Sequence, residues 1–353
     1  MVHTLDIRVE KVAQSRVAEM DFHNIDFARQ YADHMFIADY DGNEWHDFRI
    51  VPYGNISISP ANPAIHYGQS VFEGLKAYKN AAGEVLIFRP HKNFERMNIS
   101  AERMMMPQLS EEIFMEGMRE LINLDRDWVP DVAGTSLYIR PFMFATDEYI
   151  GVRPSDTFTF MIITCPVGAY YARPVKVKIE EHYTRAVKGG TGFAKTAGNY
   201  AASLYPAHLA QKEGYDQLIW TDGQFHKLIE ESGTMNIMFV INNTLITAPV
   251  GDTILNGITR DSVLELARDW GMKVEVRPLE VEELIAAIED NQLQEAFGVG
   301  TAATIAHIEV IAYRGHDYPL DLGRRQFSAK VLDALNDIRY GRAEDKFGWN
   351  YRV

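Results

Sequence analysis

The chain has 353 residues, 46% of them hydrophobic, enough for two globular domains or one large α/β unit with a substantial core. Its 49 acidic side chains against 35 basic ones give a net charge of -14, a field that repels nucleic-acid phosphates and anionic membrane surfaces alike. The one cysteine, Cys165, excludes an intramolecular disulfide framework and a thiol zinc cluster and fits a cytoplasmic setting.

The N-terminal MVHTLDIRVEK lacks a signal-peptide core, and no run approaches the roughly 20 apolar residues of a membrane span. Further along, MFIADY, VLIF, SLYIRPFMF and TFTFMIITCPV predict strands, separated by turn residues and by helices at about Pro90 to Met106 and Glu111 to Leu124. PVKVKIE predicts another strand, followed by a glycine-rich loop, a helix from about Tyr200 to Lys212 and the strand QLIWT. TMNIMFVI and TLITAP pair across Asn242-Asn243, since asparagine tolerates positive φ in a hairpin turn. A helix from about Arg260 to Trp270 closes at Gly271; MKVEVRPL, a helix near Val281 to Ile288, EAFGVG and a helix around Gln326 to Ile338 follow. No internal repeat appears. Gly and Pro punctuate GAYYARP, Gly168 to Pro174, which predicts two α+β domains, 1–170 and 186–353, joined by 171–185 with a cleft between them.

Chemistry concentrates in a few stretches. GGTGFAKT departs from the P-loop pattern at Ala194, where glycine is required, and the polar EHYTRAVKGG before it is not the buried strand a P-loop needs. Lys195 is therefore open to phosphate binding, to Schiff-base chemistry or to a plain solvated loop. Covalent attack requires a neutral amine, hence burial or neighbouring positive charge, and the surrounding Gly and Ala residues would let a flat ring approach the main chain. LIEESGTMNIMFV sets Glu230 and Glu231 against an apolar strand, where a buried carboxylate needs a partner such as a protonated ring nitrogen; Glu231 is the better candidate of the two, and a solvated strand end is the alternative. ILNGITRDSVLELARDWG opens a helix with Thr259 at or next to its cap, a place that favours a phosphate or is merely a cap. GVGTAAT exposes backbone donors at Thr301 and Ala302 or forms only a tight strand connection. Tyr138 and Arg140 alternate on one face of a strand.

Taken in order, HYGQSVFEGLKAY, FRPHKNFERM, SLYIRPF, GFAKTAGNYAAS, EESGTMNIMF, LNGITR and FGVGTAAT resemble the branched-chain amino acid aminotransferases of the pyridoxal-phosphate fold type IV class, from about Phe27 to Tyr340. The resemblance implies a two-domain α+β fold of the D-amino acid aminotransferase type, with mixed sheets, peripheral helices and an active site in the interdomain cleft. It implies reversible transfer of the amino group of leucine, isoleucine or valine to 2-oxoglutarate, in a cytoplasmic homodimer without a metal. The nearest alternatives are a D-amino acid aminotransferase and an aminodeoxychorismate lyase, which use the same cofactor.

By the same resemblance, Lys195 forms the Schiff base with pyridoxal 5'-phosphate, Tyr200 hydrogen-bonds its phenolic oxygen and Glu231 pairs with its pyridine nitrogen. Arg96, the backbone at Ile258 and Thr259, and the Thr301 hydroxyl would bind the phosphate. Tyr138 and Arg140 match the substrate-facing pair, and the Thr301 and Ala302 backbone would meet the α-carboxylate. Phe27, Phe72 and Tyr170 match the apolar wall, while Tyr67 and Val152 match positions contributed across a dimer interface. The animal members carry a redox-active C-x-x-C after GTA; here Ala303 and Ala306 stand at those places, so thiol control of that kind is absent.

Overall fold

A computed structural model describes residues 5–26, 28–168, 170–171 and 173–353. The chain divides into two compact units. The first holds Met1–Tyr170, Ala194–Ala197 and Asn336–Val353; the second holds Tyr171–Phe193 and Gly198–Leu335. The lysine segment is thus grouped with the first unit although its flanks belong to the second.

The first unit is built on a sheet ordered Arg8–Val9, Trp45–Pro52, His34–Tyr40, Phe158–Val167, Ser136–Ala145, Leu75–Lys79, Val85–Phe88 and Asn350–Arg352, with Ser70–Phe72 also paired to Ser136–Ala145. Period-two alternation puts Tyr138 and Arg140 on one face of Ser136–Ala145, while Leu137 and Ile139 face the core. Two helices cover that core. Glu111–Leu124 starts at Ser110, whose hydroxyl accepts from Ile113 N–H, carries Glu111 and Glu112 in its first turn and buries Ile113, Phe114, Met118, Leu121 and Ile122. Pro90–Arg103 begins with a proline where no helical N–H bond is lost, and buries Asn93, Arg96, Met97 and Ser100 along one stripe.

In the second unit the strands Ile229–Ser232, Gln217–Thr221, Val175–Ile179, Thr304–Tyr313, Leu293–Gly300 and Met235–Ile241 pair in that order, and Met235–Ile241 returns to Ile229–Ser232, closing the ring. Closure satisfies strand edges that would otherwise be exposed. Thr244–Thr247 and Lys273–Val276 extend it beyond Met235–Ile241. Helices Ala197–Lys212, Ile258–Asp269 and Val281–Glu289 belong to this unit for most or all of their length. Val177, Ile219, Phe239, Leu284 and Ile311 are among the side chains of its core.

The long apolar runs form strands within two residues of the expected limits, and Asn242 and Asn243 take φ of 48° and 58° in the hairpin turn. The helix expected from Tyr200 starts three residues earlier, at Ala197. Several strands lack a clear apolar signature: Trp45–Pro52 keeps a partly exposed polar face, and TIAHIEVIAY mixes histidine and glutamate into Thr304–Tyr313. EESGTMN is a hairpin rather than the start of one strand, with Glu231 opposite Asn236 and Ser232 opposite Met235. Among the described residues, no helix is long and apolar enough to cross a membrane.

Candidate active site

In the first unit Lys195 is held by its main chain on both sides. Its N–H donates to Ser100 Oγ at 2.9 Å, and its carbonyl accepts from Phe72 N–H at 3.0 Å. Thr196 then bridges Val71, and its hydroxyl donates to the Ser70 carbonyl at 2.8 Å. A lysine in a solvated loop needs none of these anchors. These bonds fix its Cα, and Nζ stands 4.8 Å from the centre of the Phe72 ring.

The same ring meets Arg140, whose guanidinium carbon lies 4.6 Å from the Phe72 centroid and 5.3 Å from that of Tyr138. Arg140 Nη2 donates to Tyr138 Oη at 2.9 Å. The pair presents polar atoms beside apolar faces on one side of the strand. Gly74 leaves room for this phenol: a Cβ at that position would lie 2.2 Å from Tyr138 Oη.

Arg96 is buried and meets Glu73 edge to edge, with Nε to Oε1 and Nη2 to Oε2 both at 2.8 Å. Asn93 Nδ2 donates to Glu73 Oε2 at 2.7 Å. Burial alone would push the Glu73 carboxyl up, but the charge and hydrogen bonds of Arg96, the charge of Lys195 and the Asn93 amide together hold it below the usual carboxylate range.

In the second unit Glu231, 3% exposed, gathers donors. Its Oε1 accepts from Asn236 Nδ2 at 3.0 Å and from Leu255 N–H at 2.9 Å, and Arg185 Nε stands 2.9 Å from Oε2. Arg185 is itself fixed through Nη2 by the carbonyls of Gly192, at 3.1 Å, and Thr253. Glu230 points elsewhere, as alternation on a strand requires, and accepts from Thr253 Oγ1 at 2.5 Å.

Asn236 also donates to the Leu255 carbonyl at 2.9 Å, tying Glu231 to the loop that enters helix Ile258–Asp269. The cap of that helix is Gly257, with Ile258 and Thr259 in its first turn, so Thr259 is not the cap. A Cβ at Gly257 would lie 1.9 Å from Asn236 Oδ1, and the cap residue, a glycine, offers no side-chain acceptor to the first-turn N–H groups. This leaves a helix start suited to an anion. Thr301 and Ala302 lie in the turn that joins Leu293–Gly300 to Thr304–Tyr313, half-buried. Tyr200 is a half-buried residue of helix Ala197–Lys212, next to Asn199, which closes back on Thr191 through two hydrogen bonds of 2.8 Å.

Tyr67, Tyr170 and Val152 are exposed, the last at 92%, and Phe27 lies outside the described residues. Glu73, Asn93, Ser100, Arg185 and Asn236 contact these residues, and the motifs did not single them out. A detectable signal existed for two of them, because Asn93 and Ser100 are polar residues at helical spacing from Arg96 on an otherwise buried stripe. Among the described residues no three His, Cys, Asp or Glu side chains gather as a metal site.

Each unit by itself holds groups of the kind pyridoxal phosphate needs: the first an anchored lysine and a buried arginine, the second a buried carboxylate and a helix start. Residues 70–311 match the family model for amino-transferase class IV. The chain is 44% identical over 352 residues to branched-chain-amino-acid aminotransferase 2 of Bacillus subtilis (strain 168), covering 98% of this chain and 97% of that one. It superposes on the branched-chain aminotransferase of Thermoproteus uzoniensis, solved with norvaline, with a TM-score of 0.76 at 27% identity, over 90% of this chain and 99% of the other. The T.th. branched-chain amino acid aminotransferase in complex with N-(5'-phosphopyridoxyl)-L-glutamate gives 0.74 at 25% identity, over 90% and 97%. The chain therefore belongs to the class IV aminotransferases, among the pyridoxal-phosphate-dependent branched-chain-amino-acid aminotransferases of α+β fold type IV.

Proposed function

We infer that this protein reversibly moves the amino group of L-leucine, L-isoleucine or L-valine to 2-oxoglutarate, with pyridoxal phosphate carried on Lys195. The observation that carries the assignment of the lysine is its two-sided main-chain clamp, through Ser100 and Phe72, beside the Tyr138–Arg140 pair. The cofactor supplies the electron sink that makes the substrate α-carbon acidic.

The protein's residues do the rest. Lys195 Nζ is the nucleophile toward the cofactor aldehyde and, once released, the base that carries the α-proton. Glu231, supported by Arg185, Asn236 and the Leu255 N–H, would hold a proton on the ring nitrogen, and Tyr200 would serve the phenolic oxygen. Arg96, the Ile258 and Thr259 backbone and the Thr301 hydroxyl take the phosphate. Phe72 offers an apolar surface for a branched side chain, together with Phe27 and Tyr170, while Tyr138 Oη and Arg140 offer donors to the side-chain carboxylate of glutamate. The α-carboxylate falls to the backbone of Thr301 and Ala302.

The working form is a cytoplasmic homodimer. Exposed apolar side chains on the first unit, Ile65 and Tyr67 with Tyr149, Ile150 and Val152, support an interface there, with Tyr67 and Val152 serving the partner's substrate pocket. Glutamate production from 2-oxoglutarate with each of the three L-amino acids, and with D-alanine, tests the reading. Turnover with the L-substrates and none with D-alanine is expected; turnover with D-alanine alone would overturn it.

A further inference from the structure

Glu73 has no role in the reading above, yet it is 0% exposed and bears a charge. A pair that only tied helix Pro90–Arg103 to its neighbouring strand could be replaced by apolar side chains of similar volume without loss. This carboxylate instead receives four donors: Arg96 Nε and Nη2 at 2.8 Å each, Asn93 Nδ2 at 2.7 Å and, at 3.3 Å, the N–H of Gly74. Its own N–H donates to the Pro141 carbonyl at 2.7 Å, fixing Glu73 to the strand that carries Arg140. An edge-to-edge carboxylate fixes both the plane and the rotation of a guanidinium, which a single contact cannot do. Arg96 also shares its buried stripe with Ser100, which holds the Lys195 main chain. One helix face therefore registers the arginine against the lysine.

We propose that Glu73 is the positioning residue for Arg96: it clamps Nε and Nη2, aims the guanidinium at the cofactor phosphate and so sets the preference for pyridoxal phosphate over pyridoxal. The proposal rests on Arg96 being the phosphate ligand. Glu73→Gln keeps the length of the side chain but turns an amide N–H₂ toward one guanidinium N–H, so the two-point clamp is lost. Glu73→Asp keeps the charge but is one methylene too short to hold both nitrogens.

The test is the ratio of dissociation constants for pyridoxal and pyridoxal phosphate, measured by absorbance titration of the full chain freed of cofactor, with thermal unfolding as a fold control. Both Glu73 variants are expected to lower this ratio at least tenfold. In an Arg96→Gln background, Glu73→Gln is expected to lower it no further. A parent-like ratio in the Glu73 variant or variants that fold, or an equal fall with and without Arg96, would overturn the proposal while leaving Arg96 in place. A parent-like ratio in Arg96→Gln alone would remove Arg96 from the phosphate, and both readings would then fail. Should Glu73→Gln not fold, Glu73→Asp alone decides the matter.

Discussion

Arg185 Nε lies 2.9 Å from Glu231 Oε2, both side chains buried, in an alignment that makes a close charge contact rather than a directed hydrogen bond. Glu231 takes its directed bonds from Asn236 and the Leu255 N–H instead, so charge and orientation are supplied by different residues.

Two variants separate these contributions. Glu231→Gln is expected to retain fold and cofactor but to lose transamination rate by orders of magnitude, because a neutral amide cannot stabilise a protonated ring nitrogen. Arg185→Met strips the buried carboxylate of its charge partner and is expected to cost about 3–5 kcal/mol of stability. Steady-state rates and urea unfolding measure the two effects. A fully active Glu231→Gln enzyme would remove Glu231 from the chemistry, and unchanged stability in Arg185→Met would contradict the pairing.

Gly74→Ala is expected to damage substrate recognition without touching the lysine. The added Cβ would stand 2.2 Å from Tyr138 Oη, so the phenol must shift and its 2.9 Å bond from Arg140 is expected to be disturbed or lost. Losing one well-placed hydrogen bond to a charged group corresponds to about 1.5–3 kcal/mol, a fall of roughly tenfold or more in kcat/KM. Glutamate should suffer more than leucine, since its side-chain carboxylate depends on those donors. Equal kinetics in the variant and the parent would count against the Tyr138–Arg140 assignment.

Lys76 makes stability depend on pH. Burial, helped by the charge of Arg339, pushes its ammonium down to about 7. The unfolded chain keeps this lysine near its ordinary value of about 10.4, so between the two values the unfolded state binds a proton that the folded state does not. Stability from this group therefore rises as pH increases above 7 and is lost as pH falls back through it. Relative to Lys76→Met, the parent should gain about 1–3 kcal/mol between pH 7 and pH 9 in urea unfolding. Parallel pH profiles for the two proteins would contradict this.

Cys165 is expected to stay unmodified by iodoacetamide at pH 7.5 in the folded protein. Burial pushes its thiol up to about 11, only partly offset by the charge of Arg140, so little reactive thiolate forms. With Ala303 and Ala306 in the turn and strand after Gly300, mild peroxide should leave turnover unchanged. Rapid labelling, or a reversible loss of rate, would show a thiol control that these residues do not provide.

The residues proposed to meet a ligand lie in motifs that the sequence displays, whereas most of the residues that hold them do not stand out in it. Lys195, Glu231 and Thr259 stand in short motifs whose composition allows chemistry but equally a solvated loop, a strand end or a plain cap, and it is the order of the motifs along the chain that favours chemistry. Glu73 and Arg185 act through partners far along the chain: Glu73 meets Arg96 across 23 positions and Arg185 reaches Glu231 across 46, distances that no local spacing encodes. The same limit applies to the fold. Long apolar runs such as SLYIRPFMF declare themselves, whereas Ser70–Phe72 and Asn350–Arg352 are strands only because a neighbour offers them a paired edge. The lysine segment was expected in the second domain by its place in the chain, but its contacts group it with the first unit.

The central claim is that Lys195 carries the cofactor, and borohydride reduction of the pyridoxal-phosphate-loaded enzyme followed by peptide mass mapping tests it most directly. The account predicts loss of the visible chromophore and one phosphopyridoxyl group on Lys195, with Lys195→Ala folded, inactive and unlabelled at that position. A label on a different lysine, or normal turnover in Lys195→Ala, would contradict it.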